Sequence, residues 1–188
     1  MLSEHAYCRN FGVTSSSHVN TIARCTVLDF SGNVLLDQYI KPEEQITDYR
    51  TPYSGISEIH MKEAIPYKDA RETIWNLIKG KVVVGHALDN DFQALGFSVP
   101  LHMRRDTLWS PDLRRMMDNA GINKMSLKSM AKHILNRHIQ NGPHCSFEDA
   151  LATLDLFKCV LLTRGVWKQA ARDSGKFTHL FDDHYWVA

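Results

Sequence analysis

The chain holds four cysteines in 188 residues, Cys8, Cys25, Cys145 and Cys159, widely scattered and without a Cys-x-x-Cys pair. That spacing gives neither a zinc site nor a disulfide framework, and it favours a reducing, intracellular setting. Long apolar runs are missing as well: no stretch approaches the roughly 20 residues of a membrane span. The N-terminus has neither the basic flank nor the hydrophobic stretch of a signal peptide, so a soluble chain with no membrane partner is expected. Charge of one sign is also lacking. With 22 Lys and Arg against 21 Asp and Glu, the net charge of +1 exerts no overall pull toward nucleic acid or anionic lipid; such binding must come from a local patch. No internal repeat or low-complexity linker interrupts the chain. Its length and 44% hydrophobic content suit one compact domain.

What is present reads as alternating strands and helices. "IARCTVLDF" (Ile22 to Phe30) and "NVLLDQYI" (Asn33 to Ile40) are β-rich runs joined by Ser31 and Gly32, which predicts a hairpin. "KPEEQITDYRTPYSGIS" is turn-rich and polar, a surface loop containing Tyr49 and Arg50. Ser57 suits the cap of a short helix through Glu63, and Pro66 the first turn of another running to Lys79, with Ala70, Ile74, Leu77 and Ile78 at helical spacing. "KVVVGH" predicts a buried, parallel strand feeding a helix from Asp89 to Leu95, and "RRDTL" (Arg104 to Leu108) another strand, with a helix beginning near Ser110. Ser126 caps an amphipathic helix; Ser146 opens the last long one, with Ala150, Leu151, Leu154, Phe157 and Leu161 on one face and Gly165 as its stop. From Val166 the tail is poorly patterned, although Phe177, Phe181, Tyr185 and Trp186 could dock on the body. A hairpin followed by alternating strands and helices means an α/β fold with a mixed sheet.

Ligands of α/β proteins gather where strands end and helices begin, because loops and backbone N–H groups converge there. "GHALDNDF" lies at such a junction. Asp89 can be read as a helix cap and Asp91 as a first-turn charge against the helix dipole, or Asp91 as a metal ligand. "GPHCSFEDALATLDLF" poses the same choice. Ser146 and Asp149 resemble a capping box, with His144 an ordinary loop residue. Alternatively Asp149 holds a cation while His144, an imidazole with an unperturbed pKa near about 6.5, takes a proton from water. A basic excess between His102 and His138 (Arg104, Arg105, Arg114, Arg115, Lys124, Lys128, Lys132 and Arg137 against Asp106, Asp112 and Asp118) could hold phosphates, or could spread over several solvated faces.

The order and wording of several segments resemble one family: the DEDDh-type 3′-to-5′ exonucleases, in the branch of the interferon-stimulated 20 kDa exonuclease and the apoptosis-enhancing nuclease. The segments are "IARCTV", "YIKPEEQITDYRTPYSGI", "HMKEAIPY", "LIKGKVVVGHALDNDFQAL", "RRDT", "MSLKSMAKHILNRHIQ" and "HCSFEDALATLDLF", collinear over roughly residues 22 to 160. The resemblance implies a ribonuclease H-like mixed sheet flanked by helices, an exonuclease domain over residues 1–165 followed by a tail at 166–188, and a two-ion phosphodiesterase acting on single-stranded RNA or DNA. It implies Mg²⁺ or Mn²⁺ as cofactor, Asp91 and Asp149 as metal ligands and His144 as general base. It also implies a nuclear or nucleolar setting. Tyr49, Arg50, Arg104 and Arg105 are candidate contacts to the substrate strand.

One motif fails to match. The family's first motif is Asp-x-Glu, in a strand like "AxDCEMVG" a little under twenty residues before the "ARC" segment. Here "MLSEHAYCRNFGVTSSSHVNTIARC" contains no Asp at all, and alignment by spacing places the motif near His5 to Cys8, where neither carboxylate survives. Aligned on Glu4, only the glutamate survives, and an insertion is required. The first central strand is therefore expected to be degenerate or missing. A truncated or spliced product and a diverged protein that binds nucleic acid without cutting it are the two explanations this leaves open.

Overall fold

The computed structural model describes residues 5–15 and 20–163. The expected aromatic docking of the tail lies outside them. Within them the hairpin forms as predicted, from strands β2 (Asn20–Leu28) and β3 (Val34–Lys41) paired antiparallel with Arg24 opposite Tyr39. Its turn is closed by Asp29, whose carbonyl receives the Gly32 N–H at 3.0 Å and whose Oδ1 receives the Asn33 N–H at 2.8 Å. Gly32 has φ 93, a backbone state that glycine adopts at little cost.

The first central strand, expected to be degenerate or missing, is present and degenerate in sequence, without the Asp-x-Glu carboxylates. β1 (His5–Ser15) runs antiparallel to β2, with Tyr7 opposite Leu28, and parallel to β6 (Val82–Gly85), with Tyr7 opposite Val84. The centre of the sheet therefore has no gap. Its register with β2 shifts between Phe11 and Gly12. Two short strands, β4 (Ile46–Asp48) and β5 (Ile65–Pro66), and β7 (Arg104–Asp106) complete a seven-stranded mixed sheet in the order β5-β3-β2-β1-β6-β7, with β4 paired to the far end of β1.

The helices are α1 (Thr51–Ser54), α2 (Tyr67–Ile78), α3 (Leu88–Leu95), α4 (Pro111–Asn119), α5 (Leu127–Ile134) and α6 (Ser146–Thr163), with 3-10 turns at Glu58–Lys62 and Leu101–Met103. Adjacent valines of β6 sort them into layers. Val83 packs with Ile74 of α2 and Leu88 and Phe92 of α3; Val84 packs on the opposite face with Leu154 and Phe157 of α6. Successive strand residues point to opposite faces, so one short apolar run serves two cores. Ala152, Leu156 and Val160 of α6 meet a third cluster with Leu113, Met117, Leu127 and Met130 of α4 and α5. α6 is thus covered on both sides. None of the described helices is long and apolar enough to cross a membrane.

Candidate functional site

Asp91 and Asp149 lie in the first turns of α3 and α6, helices on opposite faces of the sheet that both pack against the central strand β1. Both are removed from water, at 5% and 0% exposure.

α3 is not capped by Asp89. The helix starts one residue earlier, after Ala87 in a left-handed conformation (φ 61), and its first N–H groups are received from across the sheet. Asp106, the last residue of β7, accepts Ala87 N–H at 2.9 Å on Oδ1 and Leu88 N–H at 2.7 Å on Oδ2, and it also takes Leu108 N–H at 2.9 Å. Asp89 instead pairs with Arg104 at 2.8 Å in solvent. Beside this junction His86 is buried, its Nδ1 3.0 Å from the Thr107 hydroxyl, which donates in turn to the Gly85 carbonyl at 3.0 Å. Asp106, His86 and Thr107 were not singled out in the sequence. The signal was the carboxylate closing "RRD" at a strand end, a position from which a side chain can reach the neighbouring loop.

α6 likewise begins one residue earlier than a capping box on Ser146 requires: Ser146 is its first helical residue and the Cys145 carbonyl accepts Asp149 N–H at 3.0 Å. The Asp149 carboxylate meets the preceding loop. Gln140 Nε2 donates to its Oδ1 and Oδ2 at 3.0 and 2.9 Å, and His144 Nδ1 lies 3.6 Å from Oδ2. The structure thus brings His144 and Asp149 together. The His144 N–H donates to the Tyr53 carbonyl at 2.7 Å, which ties α1 to this loop.

That tie places the Tyr49–Arg50 segment next to the His144 loop. Arg50 is exposed at φ 48 with its N–H on Asp48 at 2.8 Å; Tyr49 is half-buried beside Ala23 and Ile56, where burial and the Glu58 carboxylate push its phenol up from the usual value. Of the other candidate contacts, Arg104 reaches solvent, with its guanidinium over the Phe92 ring. Arg105 is a correction. It is 1% exposed, and its Nη1 donates to the carbonyls of His102 and Arg104, so it braces the turn before β7 instead of facing a nucleic-acid strand. The wider basic excess lies at the surface and is partly engaged by the protein itself: Arg137 pairs with Asp155 at 2.7 Å, Arg115 lies 3.6 Å from Asp112, and Lys128 and Arg114 donate to the Gln140 and Asn123 carbonyls, while Lys124 and Lys132 are exposed. Two large aromatics do face water near these elements, Tyr53 on α1 at 72% and Trp109 after β7 at 73%.

Among the described residues the donor set does not suit two divalent ions. Bridging a pair of hard cations takes several carboxylates around one point. Asp91 and Asp149 have the right chemistry, but His5–Ser15 contributes no Asp or Glu, and among the described residues no group of three or more His, Cys, Asp and Glu side chains is arranged to hold a metal.

Comparison with known proteins fits this architecture. A family model described as Exonuclease matches residues 21–157, starting just beyond the strand that lacks carboxylates. The interferon-stimulated 20 kDa exonuclease-like 2 of Bos taurus is 46% identical over 155 residues, covering 81% of this chain and 44% of that protein. The apoptosis-enhancing nuclease of Rattus norvegicus is 39% identical over 194 residues, covering 95% of this chain and 58% of that one. The chain therefore spans about half the length of the curated relatives it matches. Among solved structures, the catalytic unit of Neurospora crassa Pan2, a protease and nuclease domain, superposes with a TM-score of 0.72 at 25% identity, over 100% of this chain and 30% of that one.

Proposed function

This chain belongs to the DEDDh exonuclease family, and from that premise we propose that it binds single-stranded RNA or DNA on the exonuclease scaffold while hydrolysing it far more slowly than a complete site would. The observation carrying the second half is the central strand. β1 fills the place of the first-motif strand, and laying the family's "DCEMVG" pattern on Cys8 and Gly12 puts Tyr7 and Arg9 at the Asp and Glu positions. Two negative charges are replaced by a neutral group and a positive one. Because that donor set does not suit a cation pair, no chemical step is assigned to Mg²⁺ or Mn²⁺ in the parent chain. What the residues retain is a means of engaging a strand: exposed Tyr53 and Trp109 offer faces for base stacking, and Arg50 and Arg104 offer cations for phosphates. His144, whose backbone N–H donates to the Tyr53 carbonyl and whose ring lies 3.6 Å from Asp149, would orient water or a terminal hydroxyl.

The test uses a labelled single-stranded oligonucleotide, in RNA and DNA versions, with Mn²⁺ present. The parent chain should give a gel shift with intact substrate. A variant carrying Tyr7→Asp with Arg9→Glu should show stepwise shortening from the 3′ end. Rapid shortening by the parent, or no retention of either oligonucleotide, would contradict the reading.

A further inference from the structure

A carboxylate taken out of water must be compensated by donors or by a cation. Asp149 has zero exposure, and the Gln140 amide spans its two oxygens from one nitrogen. One N–H of the amide, shared between the two oxygens as a three-centre bond, spans the edge that a chelated ion would approach. The loop is built to keep it there. The Gln140 carbonyl receives Lys128 Nζ at 2.7 Å, and its N–H points to Glu148 Oε2 at 3.2 Å. Its φ is 56, a left-handed conformation that residues other than glycine seldom adopt and that surrounding contacts must sustain. One contact comes from α5 and two from the first turn of α6, and together they fix backbone and side chain.

We propose that Gln140 is a latch on Asp149: its amide nitrogen stands where a divalent cation would sit, so a cation reaches this carboxylate only when Gln140 withdraws. The proposal deepens the functional reading above and rests on it, since it treats Asp149 as the last carboxylate of an exonuclease scaffold. It also relates two observations made far apart in the chain. The central strand brings no negative charge, and the carboxylate on α6 holds an amide of the protein itself against both oxygens. Gln140 acts through Asp149 and is a positioning residue.

The experiment titrates the full 188-residue chain with manganese chloride, reading free Mn²⁺ from its electron paramagnetic resonance signal and recording thermal melts on the same samples. Gln140→Ala should bind Mn²⁺ about 10 to 100-fold more tightly than the parent, because the cation no longer has to displace hydrogen bonds to a charged acceptor, while its metal-free melt falls. Gln140→Glu keeps the side-chain shape and sets a second carboxylate against Asp149, a pair suited to a hard cation. It should gain affinity in the same direction, and adding Asp149→Asn to either variant should abolish the gain. Folded variants that bind Mn²⁺ no better than the parent, or a parent that already binds it as tightly as Gln140→Ala, would overturn the latch. A gel shift without metal separates the two readings: a parent that binds Mn²⁺ as expected but retains no oligonucleotide defeats the functional reading alone.

Discussion

Replacing Gly85 by alanine should destabilise the protein through one identifiable collision. A Cβ built on Gly85 would strike the Leu88 side chain, overlapping its Cδ2 and lying 2.6 Å from Cγ. Neither partner is free to give way. Leu88 is fully buried among Ile22, Val83, Phe92 and Leu95, and the Gly85 carbonyl is pinned by the Thr107 N–H at 2.9 Å and the Thr107 hydroxyl at 3.0 Å. Overpacking of this kind costs about 1–3 kcal/mol, and in a domain of this size each kcal/mol moves the melting temperature by about 2–4 °C. Gly85→Ala is therefore expected to melt about 2–12 °C below the parent. Leu88→Ala alone should cost about 2–5 kcal/mol by leaving a cavity. In the double variant the new methyl group enters that cavity, so the double loss should fall short of the sum by about 1 kcal/mol or more. Thermal and urea melts of the four proteins measure the cycle. A Gly85→Ala protein that melts with the parent, or strict additivity in the cycle, would refute the packing account.

Three further outcomes follow from single side chains. Arg105→Ala should cost about 2–4 kcal/mol in denaturant melts, since it removes charged hydrogen bonds and fills nothing, while the salt dependence of oligonucleotide binding stays that of the parent; a shallower salt slope with unchanged stability would return Arg105 to the binding surface. Trp109→Ala should weaken oligonucleotide binding by about 1–3 kcal/mol, the value of one stacked base, with an unchanged melt because the ring is exposed; undiminished affinity would remove Trp109 from the interface. At Asp29, desolvation works to raise the carboxyl pKa but is outweighed by donors from the Asn33 side chain and the backbone of Asn33, Ser31 and Gly32, so the net shift is downward. A depressed folded-state value contributes stability that is present above the unfolded pKa and lost as pH falls through the folded one. Asp29→Asn should accordingly lose less stability than the parent between about pH 5 and about pH 2, and identical acid profiles would show that the turn contributes nothing to pH dependence.

The hairpin, the β6 strand and most helices were legible because their signals are local: β-branched runs, Gly32 in a turn, and Ser110 and Ser126 before helices, where both hydroxyls do accept a helix N–H. The α3 cap was not legible, because the oxygens that receive Ala87 and Leu88 belong to Asp106, eighteen or more residues along the chain. For α6, the sequence marked the face that meets the sheet; Ala152, Leu156 and Val160 looked like the opposite side until α4 and α5 covered them. The polar stretch after Lys41 looked like plain loop, yet it holds β4 and α1, elements too short to carry a period. β1 formed despite weak strand material because its neighbours β2 and β6 offer unpaired backbone on both sides, a tertiary demand that overrides propensity. At the site, five residues of spacing left His144 and Asp149 readable as a loop residue beside a helix cap, and only the family resemblance singled the pair out; the structure sets them 3.6 Å apart. The hold of Gln140 was missed, since nothing local distinguishes an amide aimed at a carboxylate from one in water.

The triple engagement of Asp106 bears on how a nucleic acid can approach. A helix beginning ordinarily welcomes phosphate, because its leading amides are unsatisfied and the dipole favours an anion. In α3 that berth is already taken by an internal carboxylate anchored in the sheet. An incoming backbone would meet a resident negative charge there, so under the proposed reading a strand would be received by arginines and ring faces outside the helix mouth, and Asp106 would act as a fence that steers it.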